Sequence, residues 1–292
     1  MDHAVATIAP TCLNCGAALD GPYCAQCGQK AVPPKPAVHE LLHDALEEFL
    51  HFDGKIVQTL RTLIARPGQL TVDVVAGRRA RYIAPLRLYL TISVLYFLVA
   101  AASPTRNNIQ IRTAPPGASG ISTSFGAGRA MTDDEKQQLL EAADAGAVPR
   151  VLVPLVKRVV EDPVGLQRDV FAAWPKALFV LLPVFAVIVA LFYHRRHFVE
   201  HLYFALHIHA FAFLAMMASP LAALTHVRWL AISVGVGVLI WIPTYVHLAF
   251  KRVYGETHLV TMLKETGVGF LYSIASIPAI FAAALWVASH PH

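Results

Sequence analysis

The sequence predicts an all-α membrane protein with about five transmembrane helices, a small N-terminal zinc-ribbon-like knuckle and interfacial amphipathic helices. Three observations carry that expectation. Of 292 residues, 56% are hydrophobic and 15% charged, and the mean hydropathy of +0.52 is too apolar for a soluble domain of this size. Five windows of about 20 apolar residues, the width of a bilayer, recur along the chain. Finally, the only four cysteines stand together near the start, as Cys12-x2-Cys15 and Cys24-x2-Cys27.

The knuckle occupies residues 1–30. Each cysteine pair is followed by a glycine, Gly16 or Gly28, which permits a tight turn and frees backbone N–H groups to bond sulfur. Two such turns supply Cys12, Cys15, Cys24 and Cys27 as four soft ligands, the tetrahedral set that Zn2+ prefers. Iron–sulfur ligation and redox disulfides are the alternatives, and disulfides require an oxidising compartment. The short spacing leaves little room for a core, so metal is expected to hold the module together in a structural role.

Residues 31–85 join knuckle to membrane. Val32-Pro33-Pro34-Lys35-Pro36 reads as an extended linker. Apolar residues from Val38 to Ile56 then recur at helical spacing, followed by a helical run to Ile64 that Arg66-Pro67-Gly68 ends. A further short helix from Thr71 leads to a basic cluster, Arg78, Arg79 and Arg81, expected at the membrane surface. These helices either lie along the membrane face or pack on the bundle. His39-Glu40-Leu41-Leu42-His43 matches the HExxH pattern of zinc proteases. Only a knuckle and a Pro-rich linker precede it, so a surface helix is the expected reading.

The spans are placed at 86–103, 176–193, 199–223, 228–250 and 267–288, the last four forming a bundle over 176–288. Arg78, Arg79 and Arg81, then Arg195 and Arg196, then Lys251, Arg252 and Lys264 all fall on one side if the spans alternate. The positive-inside rule makes that side cytoplasmic. The expected layout is a multi-pass protein of the bacterial inner membrane, N-terminus cytoplasmic and C-terminus extracytoplasmic. Cysteines in a reducing compartment favour zinc over disulfides. The pI near 9.1 is then attributed to juxtamembrane residues, and nucleic acid is not an expected partner. The 104–175 segment falls outside: a Ser/Thr/Gly/Pro-rich stretch expected to be flexible, a capping box from Thr132 to Glu135, and helical patterns over 151–160 and 164–174 interrupted by prolines.

Within the membrane the third span stands out. His194, His197, Glu200, His201 and His207 share one helical face, His209 lies nearly opposite His207, and the fourth span brings Tyr245 and His247 to the same side. Ionisable groups within spans are costly and mark candidate sites. Glu200, His201, His207 and His247 are therefore candidates for a second metal site or a proton relay. The competing reading bonds them to Arg195, Arg196, a helix end or another helix.

Several strings together resemble a known family: Tyr23-Cys24-x2-Cys27-Gly28-Gln29-Lys30, Arg66-Pro67-Gly68, Gly77-Arg78-Arg79-Ala80-Arg81-Tyr82-Ile83-Ala84-Pro85 and Glu200-His201-Leu202-x-Phe204-Ala205-Leu206-His207. The combination is similar to the bacterial membrane family filed as domain of unknown function 3667, over nearly the whole chain. The resemblance implies an inner-membrane protein with a zinc-ribbon-like segment, and supplies no catalytic residues. Phosphate-binding glycine loops and serine nucleophile elbows are absent from the sequence. The expected function is a non-enzymatic scaffold or regulator whose knuckle binds a cytoplasmic partner. The alternatives are a proton-coupled carrier or a membrane-embedded metalloenzyme built on the third span.

Overall fold

The structure, a computed structural model, describes residues 11–31, 55–102, 112–113, 129–130 and 132–290. The linker, the helix expected over 38–52 with its HExxH string, and most of the 103–130 stretch lie outside the described residues. Among the described residues are nine helices: α1 Lys55–Ala65, α2 Gln69–Val75, α3 Pro85–Ala102, α4 Asp133–Asp144, α5 Val153–Glu161, α6 Pro163–Phe192, α7 Phe198–Ala223, α8 Arg228–Tyr254 and α9 His258–Ser289. The only strands among them, β1 Arg112–Thr113 and β2 Arg129–Ala130, form one antiparallel pair.

Five helices are long and apolar enough to cross a membrane: α3, the Arg168–Phe192 part of α6, α7, α8 and α9. They meet the five expected windows, with two differences in extent. Sequence patterning separates an outer helix over 164–174 from a span beginning at 176, whereas α6 runs unbroken through Pro175. Apolar helices accommodate a proline by re-satisfying the freed carbonyl locally. Likewise α9 starts at His258, upstream of the expected 267, because the charges that end the apolar window are paired: Lys264 with Glu256 at 2.5 Å and Glu265 with His247 at 3.1 Å.

The chain divides into two compact units, residues 1–100 with 182–272, and 101–181 with 273–292. In the second, Thr132 and Glu135 close the expected capping box at the start of α4. Leu155 and Val159 of α5, Leu166, Val170 and Ala173 of α6, and Val287 and Ala288 of α9 share a small apolar cluster. An Arg158–Asp169 ion pair of 2.7 Å ties α5 to α6.

In the first unit α7 is the central helix. Over half of its spanning window is buried, against 6% for α8 and for α9, whose exposed Leu239, Ile240, Leu263 and Phe270 offer apolar surface to lipid. Phe204 and Phe211 of α7 pack on Phe250 and Tyr245 of α8, and Phe213 on Tyr89 of α3. Both readings left open for the juxtamembrane helices involve an amphipathic surface; α1 and α2 use theirs on the bundle. Thr59 and Leu63 of α1, one turn apart, are buried, as are Leu70, Thr71, Asp73 and Val74 of α2. Tyr245 donates to Leu63 O at 2.6 Å, Thr71 Oγ1 bonds His207 Nδ1 at 2.9 Å, and Arg252 donates to Pro67 O at 2.6 Å. Val57 and Ile64 on the outer face of α1 stay exposed.

The α1–α2 turn permits this approach because Gly68 has φ +74 and no side chain. A Cβ there would stand 2.9 Å from Ala249 O and 3.1 Å from Ala249 Cα. Gly68→Ala therefore meets both left-handed backbone strain and overpacking, with an expected cost of about 2–4 kcal/mol. Thermal unfolding in detergent checks this: the variant should melt well below wild type, and an unchanged melting temperature would contradict the packing of α1–α2 on α8.

Candidate functional site: a four-thiol knuckle docked on a basic turn

The two cysteine turns fold alike. Gly16 N donates to Cys12 O at 2.8 Å and Gly28 N to Cys24 O at 2.9 Å, with Gly16 and Gly28 at φ 80 and 72. An antiparallel bridge closes each turn, Thr11 with Ala18 and Tyr23 with Lys30. The four sulfurs lie within 4.8 Å of one another, and the closest pairs, Cys12–Cys27 and Cys15–Cys24, are 3.5 Å apart. These cysteines are free thiols rather than disulfides. A tetrahedral ion with sulfur bonds of about 2.3 Å separates its ligands by about 3.8 Å, so the donor set and spacing fit a metal. Burial opposes ionisation of Cys27, yet hydrogen bonds from the Asn14 side chain and the Gln29 backbone, joined by Cys12 and Cys15, bring its thiol down to about 6.

The residues that bond Cys27 also dock the knuckle. Gln29 donates through Nε2 to Gly77 O at 2.8 Å, and its Oε1 accepts from the Arg79 and Ala80 N–H groups at 3.1 and 3.0 Å. Arg81 donates to Asn14 Oδ1 and Asn14 O at 3.2 and 2.9 Å. Leu13 rests against Gly77 so closely that a Cβ on that glycine would fall 2.5 Å from Leu13 Cδ1. The side chains around the sulfurs thus form the interface with the 77–81 turn.

That turn is held from beneath by Asp73. Its Oδ1 accepts from Arg78 Nη2 at 2.6 Å and Gln69 Nε2 at 2.9 Å, and its Oδ2 from Tyr82 Oη at 2.6 Å. Burial alone would raise the Asp73 carboxyl, but the bonds from Tyr82, Arg78 and Gln69 outweigh it and hold the group below its ordinary range. The arginines expected as a membrane-surface cluster are engaged within the protein: Arg78 on Asp73, Arg81 on Asn14, and Arg79 through its backbone on Gln29.

The third-span candidates are buried but engaged separately. Glu200 pairs with Arg196 at 3.2 Å, His201 Nδ1 bonds Tyr254 Oη at 2.9 Å, and His207 bonds Thr71. His209, facing the other way, bonds Ala205 O and Tyr272 Oη. His194 and His197 are exposed. His247 joins a different group: its Nδ1 contacts both Glu265 oxygens at 3.1 Å, its Nε2 bonds His258 Nδ1 at 3.0 Å, and His258 Nε2 contacts Lys251 Nζ. Among the described residues, the four cysteines are the only group of three or more His, Cys, Asp or Glu side chains whose ligand atoms converge. Sequence reading missed Asp73, Asn14, Glu265 and His258. Of these, only Asp73 left a signal, as an acid on a short helix five residues before an arginine.

Fold and site together define a class: an integral membrane protein of helical bundle type with a four-cysteine, metal-competent knuckle docked on its juxtamembrane turn. Residues 53–97 match the family described as Protein of unknown function (DUF3667), the family that the sequence resembles; the match covers the Arg66-Pro67-Gly68 and 77–85 strings and not the cysteine or third-span strings. No curated protein and no solved structure shows significant similarity to the chain. The matched stretch contains α1, α2, the docking turn and most of α3, so it is the segment that receives the knuckle.

Asp73 yields a prediction with a defined sign. A carboxyl depressed in the folded state adds stability above its unfolded pKa, about 3.9, and loses it as pH falls through the folded value. Asp73→Asn should cost about 2 kcal/mol near neutrality. The gap in melting temperature between wild type and variant should hold at pH 6 and narrow only below about pH 4. Both chains should carry Cys12→Ser and Cys15→Ser, so that metal loss in acid does not contribute.

Proposed function

We propose that this protein is a non-enzymatic scaffold or regulator of the bacterial inner membrane, in which a cytoplasmic, zinc-bound knuckle presents its outer face to a protein partner. One observation carries the reading: Asn14 and Gln29, which favour the Cys27 thiolate, are the residues that grip the 77–81 turn leading into α3. A bound ion supplies a cross-link among four thiolates and no open position for substrate. Zinc is favoured by the all-sulfur donor set, and by a cytoplasmic placement that keeps thiols reduced. The undocked face carries Tyr23, 60% exposed, beside exposed Cys15, Ala25 and Gln26. An aromatic standing in water on a rigid turn suits a protein contact.

Metal analysis of the purified chain should give one zinc per protein, lost in Cys12→Ser/Cys24→Ser. Gln29→Ala should keep the zinc while the Arg79 and Ala80 amides exchange hydrogen faster. Zinc-free wild type, or unaltered exchange in Gln29→Ala, would overturn the reading.

A second reading, a proton-coupled carrier, is supported by the Glu265–His247–His258–Lys251 chain, in which each imidazole uses both nitrogens. It differs from the relay expected on α7 and lies between α8 and α9. Reconstituted vesicles under a pH gradient test it: wild type should pass protons and Glu265→Gln should not. Absence of flux in wild type disposes of this alternative.

A further inference from the structure

Where α6 ends and α7 begins, and where α8 ends and α9 begins, the helix termini enclose a pocket of about 420 Å3. Its floor is a pair of stacked phenols, Tyr193 and Tyr254, with ring centroids 3.8 Å apart. Cations flank the pair. Lys264 Nζ lies 4.4 Å from the centre of the Tyr193 ring and bonds Glu256, while Arg196 sits 5.5 Å over Tyr254 and bonds Glu200. Such contacts fix both heads before any ligand arrives. Arg195, exposed at the rim, makes no ion pair among the described residues, and His194 stands beside it. The Tyr193 hydroxyl is buried and close enough to Glu256 for that carboxylate, after burial itself, to raise the phenol. Neither the Tyr193 hydroxyl nor Glu256 Oε2 is satisfied by a hydrogen bond among the described residues, so the phenol is a donor that the carboxylate or a bound oxyanion can take.

Arg196 and Lys264, held in place, and the unpaired Arg195 set three cations against one lining carboxylate, Glu256, and that excess of positive charge describes a receptor for an oxyanion. Position narrows the source. All four helices leave their apolar stretches at this level, so the pocket lies at the depth of lipid headgroups. Beside lining residue Phe192, Val187 and Leu191 stand one turn apart on α6, 49% and 66% exposed, as an apolar track for acyl chains. A free phosphate has no use for that track. We infer that this pocket binds the phosphate of an anionic phospholipid headgroup, with Arg195, Lys264 and the Tyr193 hydroxyl as its contacts. The inference goes beyond the scaffold reading and is independent of it, requiring only that the bundle sit in a bilayer.

Native mass spectrometry of the full chain from neutral detergent, titrated with phosphatidylglycerol or with phosphatidylcholine, tests it. Wild type should retain phosphatidylglycerol saturably and in preference to phosphatidylcholine. Arg195→Glu, a change at an exposed residue that leaves the fold intact, should weaken retention about tenfold, and Lys264→Gln should act in the same direction. Equal retention by wild type and both variants would overturn the site. Thermal stabilisation by inorganic phosphate matching that by phosphatidylglycerol would overturn the lipid as its source.

Discussion

The structure turns on the double use of Asn14 and Gln29. Each favours the thiolate form of Cys27 and each bonds the 77–81 turn. Hydrogen bonds around a thiolate site orient its ligands, and here those same groups are the contact with the membrane-proximal chain. Among the described knuckle residues only Cys12 and Cys24 are buried, so no apolar core there fixes the two residues independently. Their geometry therefore depends on the four sulfurs being gathered, and docking becomes conditional on what gathers them.

Beneath the contact, polar groups are spent on joining elements rather than on building a reactive centre. Thr71 and His207 link α2 to α7, Tyr245 and Leu63 link α8 to α1, and His201 and Tyr254 link α7 to α8. In an apolar bundle such bonds favour one helix arrangement among many of similar packing. In each buried histidine the nitrogen that bonds a hydroxyl on a neighbouring helix serves assembly, while Nε2 of His201 and of His207 is buried without a partner among the described residues. The chain of titratable side chains around His247 lies elsewhere, between α8 and α9.

Much of this was legible in the chain. Five spans follow from hydropathy alone, because lipid imposes length and apolarity on each span separately. Paired Cys-x2-Cys-Gly strings are equally local, each setting its own turn. On α7 the sequence left two readings open, and the contacts follow the one that bonds Glu200 to Arg196 and His207 to another helix, because a helical wheel shows which residues share a face but not what that face meets. His207 and His201 do share a buried side, yet α2 and α8 arrive there with separate partners. The basic turn was opaque in the same way. Arginines before a span satisfy the charge bias of topology whether they touch lipid or protein, and only the fold brings Asp73 and Asn14 to them.

The two clamps on the 77–82 turn differ in strength, and that difference bears on function. Below, Asp73 gathers Arg78, Gln69 and Tyr82 at a side chain only 8% exposed, where removing one partner strands a buried charge. Above, the knuckle makes a handful of bonds, several of them exposed, each worth about 1 kcal/mol net. Losing the upper clamp would therefore cost less than losing the lower one, and the contacts of α1 and α2 with α7 and α8 do not involve the knuckle. This difference in strength supports the proposed regulatory role, since only the upper clamp involves the residues beside the thiols. A purely structural cap would be expected to bury apolar surface against the bundle, whereas Leu13, which rests on Gly77, is still 36% exposed.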